Sequence, residues 1–242
     1  MLCAMQMGLD FGASDTVGDA LRRLAAYFGP AEIGHARTPI GQLVKSLISN
    51  RTYDAVSLRA YERLIAAMCW TEMATAPADQ LEALIGEVEF ADVKARHLGR
   101  ALRLVQAEHP DFDLRFLADL PESDALRWLE RLPGVGRKVA ASVLNFSTLH
   151  RPAFVIDTHV LRILRRLGIV GPRATTAAAY DRVMGALAQW SATELTELHV
   201  QLKRLGQKVC RPQQPHCAAC PLTGTCVMSP SPHTNGSRKS GP

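Results

Sequence analysis

From Ile40 onward the apolar residues of this 242-residue chain return at intervals of three and four. Ile40, Leu43, Val44, Leu47 and Ile48 make one full stripe of an amphipathic helix. Leu98, Ala101, Leu102 and Val105 repeat it, as do Tyr180, Val183, Met184 and Leu187. Leu195, Leu198, Leu202 and Leu205 form another stripe, after which Gly206 is predicted to act as a C-cap. No segment keeps the two-residue period of a half-buried strand. The short run Ala153 to Ile156 is the only strand-like piece, and it is too brief to build a sheet. The expected fold class is therefore all-α, in a chain long enough for one large or two small domains. Breaks are expected at Gly29-Pro30, Thr38-Pro39, Pro77, Pro110, Pro121, Pro133, Pro152 and Gly171-Pro172. Residues 229–242 contain no large apolar side chain and are predicted to be disordered.

Charge interrupts every long apolar stretch, so no membrane span is expected. The opening MLCAMQMGLDFGASD lacks a basic region and meets Asp10, unlike a signal peptide. A cytoplasmic location follows as the expectation, nucleoid-associated if the source is bacterial. The six cysteines then need a reason other than disulfides. A formal charge of +5 allows a nucleic-acid partner without establishing one.

Cys210, Cys217, Cys220 and Cys226 are separated by six, two and five residues. Four thiolates so close along a proline-bent chain can converge on one soft metal centre. Zinc favours paired knuckles, of which only Cys217 and Cys220 form one; a 4Fe-4S cube tolerates looser spacing, and spacing alone leaves both open. Cys69, in the apolar patch LIAAMCW, is read as a small buried residue.

The string LPGVGRK, Leu132 to Lys138, lies between two helical stripes. Gly134 and Gly136 can take positive φ and let a backbone approach closely. Amides of the turn and of the next helix's first turn lack intrahelical partners, and with the helix dipole they make an anion site. Packing glycines alone would also explain a lone GxG. Further on, Asp157 precedes an apolar stripe at Val160, Leu161, Leu164 and Leu167, and reads as an N-cap, with Gly168 at the helix end.

The cysteine spacing, with its LKRLGQKVC prelude and Pro221, is similar to the iron-sulfur loop of the endonuclease III family of DNA glycosylases. LPGVGRK resembles that superfamily's helix-hairpin-helix, and VIDTHVLR resembles the segment carrying its catalytic aspartate. The resemblance runs from about Pro39 to Cys226. It implies a helical barrel over 32–150 and a second domain from 1–31 and 151–228, with the tail 229–242 apart. It implies a 4Fe-4S cluster on the four cysteines, and Lys138 and Asp157 facing each other across a cleft. The activity implied is removal of a damaged base, an oxidised pyrimidine by default, from double-stranded DNA by a monomer. A lysine Schiff base then leads to strand cleavage by β-elimination. The helix end and Arg137 are expected to lower the proton affinity of Lys138; the plainer role for Lys138 is a phosphate contact.

Expected DNA contacts are Gly134, Val135, Gly136, Arg137, Arg51, Lys203, Arg204 and Lys208. Arg51, in LISNRTYD, stands where the family commonly has glutamine, in the loop that fills the gap left by a flipped base. That departure leaves the lesion open. His159 and His199 are read as packing or DNA-facing residues. Arg162, Arg165 and Arg166 are read either as a solvated face or as phosphate contacts. Two rival readings are a monofunctional mismatch or other-lesion glycosylase of the same superfamily, which would lack the hairpin lysine, and a non-catalytic DNA clamp, which would need neither Lys138 nor Asp157.

Overall fold

The computed structural model describes residues 12–228. The disorder expected for 229–242, and residues 1–11 with Cys3, fall outside them. The elements are α1 (Gly12–Phe28), α2 (Pro39–Ile48), α3 (Asp54–Ala67), α4 (Trp70–Thr75), α5 (Ala78–Ile85) and α6 (Ala91–Glu108). They continue with α7 (Glu122–Glu130), α8 (Arg137–Phe146), α9 (Thr158–Arg166), α10 (Thr176–Ala186) and α11 (Ala192–Lys208). Among the described residues there is no sheet, only an isolated bridge between Arg37 and Ser147. Ala153 to Ile156 run extended and buried but join no strand.

Local chemistry sets the helix starts. Pro39 occupies the first turn of α2, where its missing N–H costs nothing, and the Thr38 hydroxyl accepts the Gly41 amide at 3.3 Å. Ser191 and Glu194 form a capping box that opens α11. Packing then follows the stripes. The apolar face of α2 is buried, and so are Leu98, Ala101, Leu102 and Val105 of α6. Each fully buried leucine contributes about 1.5–3 kcal/mol. Helix α6 carries α4, α5 and α2; α2 also packs on α8, and α11 packs on α1 and α9.

Two sequence expectations need correction. Gly206 does not cap α11, which continues to Lys208. A Cβ on Gly206 would lie 2.7 Å from His159 Cβ, so the missing side chain is what allows α11 to approach α9. Cys69 is not buried: the helical pattern breaks at Met68, and Cys69 stands exposed at the N-cap of α4. Gly168 does end α9 as expected, with φ +75 and the Ile169 amide bonded back to Leu164 O. Among the described residues no helix is long and apolar enough to cross a membrane.

Candidate active site

Helix α7, the turn after it and α8 form the helix-hairpin-helix. Only Gly134 takes positive φ, at +80, and a Cβ there would meet His97 Nδ1 at 2.9 Å and Leu47 Cδ2 at 3.1 Å. Gly136 is extended instead (φ −108, ψ −179) and caps α8 with no side-chain partner for its first amides. Nothing lies within 4 Å of a Cβ built on Gly136, so this face is open. The uncapped amides and the positive dipole end therefore point at free space.

Arg137 does not lie poised beside its neighbour. Its Nε donates to Glu130 Oε1 at 2.6 Å and its Nη1 to Asp181 Oδ1 at 2.7 Å, and it covers the Tyr180 ring at 5.0 Å. It fastens α8 to α7 and α10. The next residue, Lys138, enters a cleft of about 1440 Å³ lined also by Asp157, His199, Lys203, Lys45 and Arg51. Burial is the main reason its amine is held below the ordinary lysine value; Asp157 pulls the other way, Lys203 adds to the lowering, and Asp54 opposes it. The cause is thus desolvation rather than the Arg137 charge.

Asp157 ends the buried extended segment and caps α9, accepting the Val160 amide at 2.9 Å. Burial alone would raise its carboxyl, but His199, the Val160 amide, Lys203 and His159 together outweigh it, and the group sits below the usual value. One side chain is both a helix cap and an ionised wall of the cleft. Beside it His199 is buried, and its Nδ1–H donates to Val155 O at 2.7 Å. Desolvation pushes its pKa down to about 4 against the pull of Asp157, so the imidazole is neutral at pH 7.

The loop after α2 forms the opposite lip. Arg51 takes φ +54 and rests its guanidinium 5.7 Å from the Phe90 ring centroid, while Tyr53 beside it is 86% exposed. Lys94 holds this loop from below, a role that sequence reasoning missed. Its buried Nζ donates to Ile48 O at 2.9 Å, Asn50 O at 2.6 Å and Thr52 Oγ1 at 3.0 Å. The available signal was its register: Lys94 falls on the apolar stripe of α6, between Ala91 and Leu98. Across the cleft Lys203 Nζ pairs with Asp54 Oδ2 at 2.7 Å, and Arg204 Nη1 donates to Pro30 O at 2.9 Å. Gly134, Gly136, Arg137, Arg51, Lys203 and Arg204 all line the cleft. Val135 is buried beneath the hairpin, and Lys208 is exposed outside the cleft lining.

Cys210, Cys217, Cys220 and Cys226 surround a separate cavity of about 100 Å³. Two arginines of α9, Arg162 and Arg166, brace this loop instead of forming a solvated face. Arg162 Nη2 donates to Gly206 O at 2.8 Å and to Cys210 O at 2.9 Å. Arg166 Nη1 donates to Cys210 Sγ at 3.1 Å and to Arg211 O at 2.8 Å, and Arg165 reaches Ala174 O. Among the described residues no three His, Cys, Asp or Glu side chains converge tightly enough for a single metal ion. Four thiols spread around a small cavity suit a larger, four-cornered group better.

Comparison with known proteins agrees with this arrangement. Residues 44–198 match the model of the HhH-GPD superfamily base excision DNA repair proteins. Endonuclease III homolog 2, chloroplastic, of Arabidopsis thaliana is 30% identical over 204 residues, 81% of this chain and 50% of that protein. Endonuclease III of Thermotoga maritima is 30% identical over 190 residues, 78% of this chain and 82% of that one. The chain thus spans about half the length of the plant relative. A solved trapped endonuclease III–DNA covalent intermediate superposes with a TM-score of 0.73 at 24% identity, covering 89% of this chain and 96% of that one. The chain belongs to the HhH-GPD superfamily of base excision DNA repair proteins, among the relatives of endonuclease III.

Proposed function

We propose that the protein is a DNA glycosylase with lyase activity, releasing a damaged base and then nicking the strand. The observation that carries this is the pairing of a desolvated lysine amine with an ionised, helix-capping aspartate in one cleft. The uncapped amides of α8 offer a grip for a DNA phosphate that requires no base sequence. A base inside a duplex is out of reach, so it swings into the cleft. As the bond from C1′ to the base nitrogen weakens, positive charge builds on the sugar and the Asp157 carboxylate stabilises it. The lone pair of neutral Lys138 forms a bond to C1′, and the base leaves with the electrons of the broken bond and takes up a proton. The sugar ring opens to a Schiff base. Loss of a C2′ proton then expels the 3′ phosphate. Holding Lys138 below its ordinary proton affinity favours the neutral, attacking form of the amine.

Oxidised pyrimidines in double-stranded DNA are the proposed substrates, with Arg51 filling the gap left by the flipped base. Cys210, Cys217, Cys220 and Cys226 would hold a 4Fe-4S cluster, which supplies a rigid cross-link for the loop after α11. We further read the chain as a cytoplasmic monomer with a barrel over 32–150 and a second domain from 1–31 and 151–228. A panel of duplexes tests the activity, each carrying one lesion or an abasic site, scored for base release and strand scission. Scission of abasic DNA with no base released from any lesion would reduce the function to a lyase. Binding without either reaction would leave a clamp.

A further inference from the structure

A second lysine stands in the cleft, and the steps described so far give it no part. Helix α2 packs against α8, and the hairpin closes on it at Leu47: a Cβ built on Gly134 would stand 3.1 Å from Leu47 Cδ2. Lys45 lies just before Leu47, in the last turn of α2, and lines the cleft that Lys138 enters. An ammonium taken largely out of water needs partners. Among the described residues no carboxylate pairs with it. Asp54, the acid whose charge reaches it, is held by Lys203 Nζ at 2.7 Å.

Two serine hydroxyls serve instead. Lys45 Nζ donates to Ser49 Oγ at 2.8 Å and to Ser57 Oγ at 3.0 Å. Both bonds have a fixed direction, because each hydroxyl gives its own hydrogen to a backbone carbonyl, Ser49 to Lys45 O and Ser57 to Asp54 O, and a carbonyl only accepts. A tetrahedral nitrogen bonded to Cε and donating twice has one direction left, and that direction is left to the cleft. It carries the third hydrogen when the amine is charged and the lone pair when it is neutral. Both forms keep both serines, so the amine gains or loses one proton without repacking. Burial holds it below the ordinary lysine value, at about 8; Arg37 adds to the lowering, Asp54 opposes it, and Lys138 and Lys203 lower it further. A base tuned toward the working pH is what proton transfer favours.

We propose that Lys45 is the base that removes the C2′ proton in the strand-cleavage step. This inference rests on the lyase reading above. C2′ is bonded to C1′, the atom that Lys138 attacks, so a base in the wall beside Lys138 is placed to reach it. In the Schiff base the iminium withdraws electrons and acidifies the C2′–H bond. The Lys45 lone pair takes that proton. The electrons of the C2′–H bond become the C2′–C3′ double bond, and those of the C3′–O bond leave with the 3′ phosphate. Lys45 ends charged and returns its proton to solvent before the next turnover. The other groups around Lys138 are poorer bases. Asp157 and Asp54 both sit below the usual carboxylate value and are engaged, Asp157 by the Val160 amide and Asp54 by Lys203. His199 lies lower than Lys45, at about 4.

The test is single-turnover cleavage of an abasic duplex labelled at the 3′ end of the damaged strand, quenched with borohydride at successive times. An adduct that still carries the label is Schiff base caught ahead of elimination, and a free labelled fragment reports elimination. Wild type is expected to free the fragment with little labelled adduct. In Lys45→Met and Lys45→Arg the adduct is expected to form as in wild type while fragment release slows on the order of a hundredfold, the low end of what a positioned base contributes. Labelled adduct therefore accumulates. Arginine keeps the charge and still donates to the serines, but it does not give up a proton to become a base. Either variant carries the test if the other folds poorly, since adduct formation reports a working site. Fragment release at the wild-type rate in Lys45→Arg overturns the inference in favour of a brace or a fixed charge, and the same rate in Lys45→Met overturns it outright. Loss of the adduct in both variants places Lys45 ahead of elimination and overturns it too. Wild type that forms neither adduct nor fragment overturns the lyase reading along with it.

Discussion

The ammonium of Lys94 holds three oxygens of the loop that presents Arg51. Lys94→Met leaves the buried Ile48 carbonyl without that donor, at about 1–3 kcal/mol, and releases the Asn50 carbonyl of the exposed loop. A lower melting temperature and weaker binding to lesion DNA are expected, read by thermal denaturation and fluorescence anisotropy. His199 gives a pH signature. Its folded pKa of about 4 lies below the 6.5 of a free imidazole, so between these values the unfolded chain binds a proton that the folded one refuses. Stability from this group is present above pH 6.5 and is lost as pH falls toward 4. In His199→Gln, urea titrations at pH 7 and pH 4.5 are expected to differ by less than in wild type. Asp157 was visible in the sequence as a cap, because an acid before an apolar stripe has that local meaning. Lys138, by contrast, could be read as a nucleophile only through its resemblance, since its desolvation comes from helices distant in sequence. Lys94 left only its register on the α6 stripe as a signal, because its burial depends on which helix lies across from it.

Glycines divide α8 and α11 into tolerant and intolerant positions. Gly206→Val places a side chain where even a Cβ stands 2.7 Å from His159, on the seam that sets Asp157 against His199 and Lys203. Overpacking of this kind costs about 1–3 kcal/mol, and base release is expected to fall with it. Gly136→Ala behaves differently, because its Cβ enters open space at an ordinary φ. The melting temperature is expected to hold while DNA binding weakens, since the added methyl stands where the phosphate would approach. Equal losses of stability in both variants would refute this assignment. The stripes that make α2, α6, α9 and α11, and the Asp157 cap of α9, were written in the sequence, because they depend on neighbours three or four residues away. Gly206 was misread for the complementary reason: a glycine after an apolar stripe resembles a stop, and only the packed neighbour α9 shows that it is a point of contact.

The cleft exists because helices from both halves of the chain meet: α2 and α8 on one side, α11 with the segment before α9 on the other. No stretch of sequence encodes that meeting by itself, so the site was legible as parts and illegible as a surface. In the proposed function its amines, carboxylates and neutral imidazole work together when Lys138 attacks a sugar carbon. Borohydride reduction during incubation with abasic duplex DNA captures that bond as a stable protein–DNA adduct. Wild type is expected to form the adduct and Lys138→Gln none, with both proteins folded and binding DNA; an adduct from Lys138→Gln in wild-type yield would contradict the assignment.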